Sequence, residues 1–185
     1  MSDLAWLNAF GSDLNSASQS VTSSVGNGIG NTIGGSVITE GDQRVGDHGF
    51  SLGGDNSASQ HVDASVANGA FNTVGGSVIT EGDQRVGDHG FSSFSLGSDN
   101  SAHQDVNATV GNGLGNFIGG PVITEGSQSV GGHGFGFGFG GDNMASQHVD
   151  ASVANGAFNA VLGGVATEAH QSVGGDHGMM TVHPI

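Results

Sequence analysis

Ser57–Gly90 reads SASQHVDASVANGAFNTVGGSVITEGDQRVGDHG, and the chain repeats this stretch four times with edits. Its side chains alternate. Ala58, Gln60, Val62, Ala64, Val66, Asn68, Ala70, Asn72, Val74, Gly76, Val78 and Thr80 share one parity. In the preceding copy the same parity runs through Ala17, Gln19, Val21, Ser23, Val25, Asn27, Ile29, Asn31, Ile33, Gly35, Val37 and Thr39. The residues between these are Ser, Thr or Gly until Ile38 and Glu40. A period of two over this length predicts β-strand with one face buried, and no helical period fits it.

Repeats begin at Asn15, Asn56, Asn100 and Asn143, at spacings of 41, 44 and 43 residues, a range in which repeat architectures are expected. Ser36–Phe50 is identical to Ser77–Phe91, and Ser59–Asn72 to Ser146–Asn159. The first and third repeats share Val-Gly-Asn-Gly, and the second and fourth share Val-Ala-Asn-Gly-Ala-Phe-Asn, so a two-repeat unit was itself duplicated. The organisation read from this is an N-terminal cap or docking segment (1–14), a β array (15–178, divided 15–55, 56–99, 100–142 and 143–178) and a C-terminal tail (179–185).

A single strand of that length would span roughly 80 Å at about 3.3 Å per residue, so each repeat must fold back. Asn27-Gly28, Asn68-Gly69, Asn112-Gly113 and Asn155-Gly156 mark one break, and the following Gly pairs another. Asn-Gly ordinarily signals a two-residue hairpin, which would swap the inward parity. Val25, Ile29, Ile33 and Val37 keep one parity instead, which suits a β-arch whose strands lie in different sheets. Phe71 and Phe158 fall on the other parity. A second Gln-x-Val follows the first Gln by 24 residues in every repeat, at Gln43, Gln84, Gln128 and Gln171. That recurrence predicts two rungs of about 20 residues per repeat and up to eight in all. The fold class expected is all-β, a β-solenoid or stacked β-arches built from four repeats.

Twelve amides sit on the buried parity: Gln19, Asn27, Asn31; Gln60, Asn68, Asn72; Gln104, Asn112, Asn116; Gln147, Asn155, Asn159. A buried amide is costly unless paired, whereas identical amides stacked in register bond to one another as ladders. This is the candidate functional feature. With these amides and the interspersed Gly26, Gly28 and Gly30, the chain resembles the functional-amyloid β-solenoids, of which curlin is the best-known kind. It departs from them in a unit about twice as long and in lacking their Gln-x-Gly-x-Gly-Asn string. The resemblance implies a self-assembling cross-β fibre of an extracellular matrix.

Composition narrows the remaining classes. Glycine is 37 of 185 residues, against a usual share of roughly 7%, but the apolar residues are too regularly placed for a disordered chain. Two basic residues, Arg44 and Arg85, stand against 17 carboxylates, a formal net charge of -15. Such a surface repels nucleic acid and anionic membranes. No apolar run approaches a membrane span, and MSDLAWLNAF lacks the features of a Sec signal peptide. Asp47, His48, Asp88, His89, His133, Asp176 and His177 are candidate metal ligands or pH-sensitive groups. No nucleophile stands at a recognisable spacing and a catalytic site is seldom repeated, so an enzyme is not expected. Gly54-Asp55-Asn56, Ser98-Asp99-Asn100 and Gly141-Asp142-Asn143 read as Asx turns rather than a calcium-binding nonapeptide, while the net charge of -15 leaves room for Ca²⁺ and no other cofactor is implied. Glu40, Glu81, Glu125 and Glu168 would repel if stacked, unless solvated, protonated or bridged by cations. The expected function is a structural protein that polymerises with itself, outside the cell or on its surface. The alternative is a monomeric acidic β-solenoid that binds Ca²⁺ or a surface.

Overall fold

The computed structural model describes residues 13–26, 28–46, 54–67, 69–87, 89–90, 99–111, 113–131, 133–134, 141–154, 156 and 158–174. The chain is all-β over these residues. Coil 1 comprises β1 (Asp13–Val25), β2 (Thr32–Ile33) and β3 (Val37–Val45). Coil 2 comprises β4 (Gly54–Val66), β5 (Thr73–Val74), β6 (Val78–Val86) and β7 (His89–Gly90). Coil 3 has β8 (Asn100–Val110), β9 (Phe117–Ile118), β10 (Val122–Val130) and β11 (His133–Gly134), and coil 4 has β12 (Asn143–Val153), β13 (Ala160–Val161) and β14 (Val165–Val173).

Equivalent strands of successive coils pair in parallel. They form a first sheet β1-β4-β8-β12, a second sheet β3-β6-β10-β14 and a narrow turn sheet β2-β5-β9-β13. Every residue stands on its own counterpart: Gln19 on Gln60, Gln60 on Gln104, Gln104 on Gln147. Register is fixed because a one-residue slip would turn every valine outward.

One repeat is therefore one coil, and the array has four. The expectation of two rungs per repeat is corrected: β4 and β6 do not pair with each other but lie in different sheets and meet across the interior. The doubled Gln-x-Val has a different cause. Both long strands line the same interior, so both carry the same kinds of inward residue. Asp55 and Asn56 also lie within β4 rather than in a turn.

The interior holds two apolar clusters. Val66, Val74, Val78, Val110, Ile118 and Val122 fill the end near the turn sheet. Val45, Ala58, Val86, Ala102 and Val130 fill the other end. Between them lie the buried Gln60, Gln84, Gln104 and Gln128. The turns explain the displaced phenylalanines. Phe71 and Phe158 have φ of 68° and 70°, where coils 1 and 3 have Gly30 and Gly115 at 78° and 84°. This left-handed backbone turns both rings outward, 62% and 81% exposed.

Candidate functional site

The inner amides form columns along the coil axis. Gln60 Nε2 donates to Gln19 Oε1 at 2.9 Å, Gln104 Nε2 to Gln60 Oε1 at 2.7 Å and Gln147 Nε2 to Gln104 Oε1 at 2.6 Å. The second sheet carries a matching column. Gln84, Gln128 and Gln171 each donate to the Gln of the preceding coil at 2.8 Å. With Gln43, these glutamines are the ones that set the 24-residue spacing in the sequence. Their shared parity with Val37 and Val45 was the signal that they point inward. The opposite sheet fixes which way each amide faces. Gln104 Nε2 also reaches Gly82 O at 2.8 Å and Ser127 O at 3.1 Å, and Gln84 Nε2 reaches His103 O at 3.1 Å. A carbonyl can only accept, so the nitrogen must face it.

A third column runs the other way. Asn15 Nδ2 donates to Asn56 Oδ1 at 3.1 Å, Asn56 to Asn100 at 2.9 Å and Asn100 to Asn143 at 2.7 Å. Asn143 Nδ2 ends it on Gly174 O at 2.8 Å. These asparagines marked the repeat boundaries in the sequence, and their side chains are the missed members of the site.

The other asparagines differ. Nδ2 of Asn72, Asn116 and Asn159 donates to a backbone carbonyl one coil back: Gly26, Ala67 and Gly111, at 2.7, 3.1 and 2.8 Å. Their shorter side chains, set at the turn, meet the neighbouring main chain before they meet one another. Asn159 Oδ1 does accept from the Asn116 backbone N–H at 3.2 Å. Asn31 is half-buried on the same face. Asn27, Asn68, Asn112 and Asn155 lie outside the described residues.

The outer face of the second sheet carries the acids. Glu40, Glu81, Glu125 and Glu168 stand in register, one coil apart. Partial burial of Glu81 raises its carboxyl pKa, and the charges of Glu125, Glu40 and Asp83 raise it further. Ligand atoms of Glu125, Glu168 and His170 lie within 4.8 Å of one another, with His170 Nε2 3.4 Å from Glu168 Oε2. This trio could hold a cation. On the first sheet His61 Nδ1 lies 3.2 Å from Asp105 Oδ2 of the next coil. Asp55 and Asp99 accept the backbone N–H of Asp99 and Asp142 at 3.3 and 2.8 Å. The candidate ligands His89 and His133 pair through their backbones in β7 and β11. Asp47, His48, Asp88, Asp176 and His177 lie outside the described residues.

Among the described residues, the columns end at strand edges that no other strand pairs, the outer edges of β1, β3, β12 and β14. No described helix is long and apolar enough to cross a membrane. Comparison with known proteins found no matching family model, no matching curated protein and no matching solved structure.

Proposed function

We propose that this chain is a structural protein that assembles with its own copies into cross-β fibres, by stacking end coil upon end coil, in an extracellular matrix or surface appendage. The observation that carries this reading is at the ends of the array. Gln147, Val149 and Val153 are half-buried, whereas Gln60, Val62 and Val66, in an identical segment, are fully buried by coils on both sides. A further copy would complete the same pairing that already joins the four coils. Unpaired parallel edges of this kind are templates for addition. The test is a concentration series of the purified chain followed by electron microscopy and fibre diffraction. Fibres with a reflection at about 4.7–4.8 Å along the axis are expected. A single monomer peak at every concentration, at pH 5 and at pH 8, would overturn the reading.

The Glu125, Glu168 and His170 trio favours a second reading, a monomeric acidic module that binds Ca²⁺ or a surface. Loss of the β signal of the monomer on adding a chelator would select it.

A further inference from the structure

The two ends of the array are not equivalent. Both glutamine columns point their donors toward coil 1 and their acceptors toward coil 4. Coil 1 therefore ends on Nε2 of Gln19 and Gln43, and coil 4 on Oε1 of Gln147 and Gln171. Coil 4 placed on coil 1 joins acceptor to donor in both columns. Two coil-1 ends placed together oppose donor to donor, and two coil-4 ends oppose acceptor to acceptor.

The sheets are also staggered. Gln104 bonds across the interior to coil 2 at Gly82 O and to coil 3 at Ser127 O, so β8 sits between β6 and β10; β4 and β12 are likewise flanked on both sides, and β1 meets β3 alone. At the coil-1 end this buries β3, with Thr39 3% and Gln43 6% exposed. At the coil-4 end β14 stands beyond β12, with Val165 52% and Val173 49% exposed. The β1 strand of a second copy, laid on β12, would fill that step.

Glycines at the two ends differ in the same sense. A Cβ on Gly76 would lie 2.6 Å from Gly35 C of the coil beneath, and one on Gly120 2.7 Å from Gly76 C. Gly35 has nothing within 4 Å, yet the position is still glycine. A coil laid beneath would therefore meet at Gly35 the same bare backbone that Gly76 and Gly120 present within the stack. At the other end the reverse holds. Gly41, Gly82 and Gly126 each face a valine Cγ2 of the following coil, where a Cβ would lie 2.7, 2.7 and 2.6 Å from Val62, Val106 and Val149. In coil 4 this residue is Ala169, opposite Gly126 in register. In a continued stack the following valine is Val21 of the next copy.

We propose that the coil-4 end docks the coil-1 end of a second copy, in that orientation only, and that Ala169 makes this junction weaker than the three inside the chain. This rests on the assembly reading above. Val21 is β-branched, with few rotamers to escape into. The Ala169 methyl thus forces the junction to open, or the valine to leave its preferred rotamer.

The test uses the full chain. Ala169→Gly should lower the critical concentration for fibre formation by about tenfold, the usual scale of a relieved overpacking contact. Orientation is read with two blocked chains, Gly35→Val and Ala169→Phe, substituted at positions with open space or exposure. Each alone should stay monomeric with an unchanged circular dichroism spectrum, and a mixture should give a one-to-one dimer and nothing longer. Dimers of either blocked chain by itself overturn the orientation. Fibres with an unchanged critical concentration in Ala169→Gly overturn the role of Ala169 and leave assembly standing. No assembly by the parent chain or by Ala169→Gly overturns the assembly reading and this inference together.

Discussion

Coils 2 and 4 carry the same fourteen residues, Ser59–Asn72 and Ser146–Asn159, in the same strand and register. In coil 2 Gln60, Val62, Ala64 and Val66 are completely buried, and in coil 4 their counterparts are only half-buried. The second sheet differs more: Val78 is 0% exposed and Val165 52%. Burial here belongs to the place in the stack rather than to the residue. Fully hiding a valine is worth about 1.5–3 kcal/mol relative to leaving it exposed, so identical strands contribute unequally.

The largest expected contrast is between two equivalent glutamines. Gln104→Leu removes the Nε2 group whose two N–H are shared among Gln60 Oε1, Gly82 O and Ser127 O, and takes the acceptor from Gln147 Nε2. With no water at hand to replace them, the loss should be about 3 kcal/mol. Gln147→Leu at the half-buried end should cost about 1 kcal/mol, since solvent can serve its partners. Urea midpoints followed by circular dichroism measure both. Equal losses would break the comparison.

Next come the close approaches. Gly82→Ala sets a methyl 2.7 Å from Val106 Cγ2 and should cost about 2 kcal/mol. Gly35→Ala meets nothing within 4 Å and should stay within about 0.5 kcal/mol in the monomer. A thermal melt of each variant at low concentration reads the difference.

The turns sharpen it further. A phenylalanine in left-handed backbone costs about 1–2 kcal/mol, against about 0.5–1 kcal/mol for the extra freedom of an unfolded glycine. Phe158→Gly should therefore stabilise by about 0.5–1 kcal/mol. Phe71→Gly should gain less, because the Phe71 ring lies 3.7 Å from where a Gly115 Cβ would stand and covers the next coil there. A larger gain at Phe71 than at Phe158 would contradict this account.

The sequence displays the inward face because strand side chains alternate strictly, and four copies of one pattern stack most simply in register. Parity through Val25, Ile33 and Val37 pointed to an arch, and β1 and β3 do lie in separate sheets. Gln43, Gln84, Gln128 and Gln171 predict two rungs per repeat where the structure has one coil, because a recurring string reports a shared interior as readily as a shared period. Asn15 and its counterparts looked like boundary marks because they begin each copy. Their column becomes evident only when neighbouring side chains meet at 2.7–3.1 Å. The direction of each column and the stagger of the sheets depend on contacts between residues about 20 positions apart, across the interior, and no local pattern encodes them.

The smallest effect concerns the acids, where coils 2 and 4 differ again. Glu81 lies between Glu40 and Glu125, while Glu168 has a carboxylate on one side and His170 beside it. Burial first, and then Glu125, Glu40 and Asp83, raise the Glu81 pKa above its ordinary value. A carboxyl whose pKa is higher when folded binds its proton more tightly in the folded state. Its contribution is thus fully present below the unfolded pKa and is lost as pH rises through the folded one. The urea midpoint should rise as pH falls from neutrality toward the carboxylate range, until other acids titrate. Glu81→Gln should raise the midpoint at pH 7 and flatten that rise, because the central charge of the column is gone at every pH. Glu168→Gln, at the column's end with a carboxylate on one side only, should raise the midpoint at pH 7 less. A Glu81→Gln chain with the parent's pH dependence would show that the repulsion is carried by solvent rather than by stability.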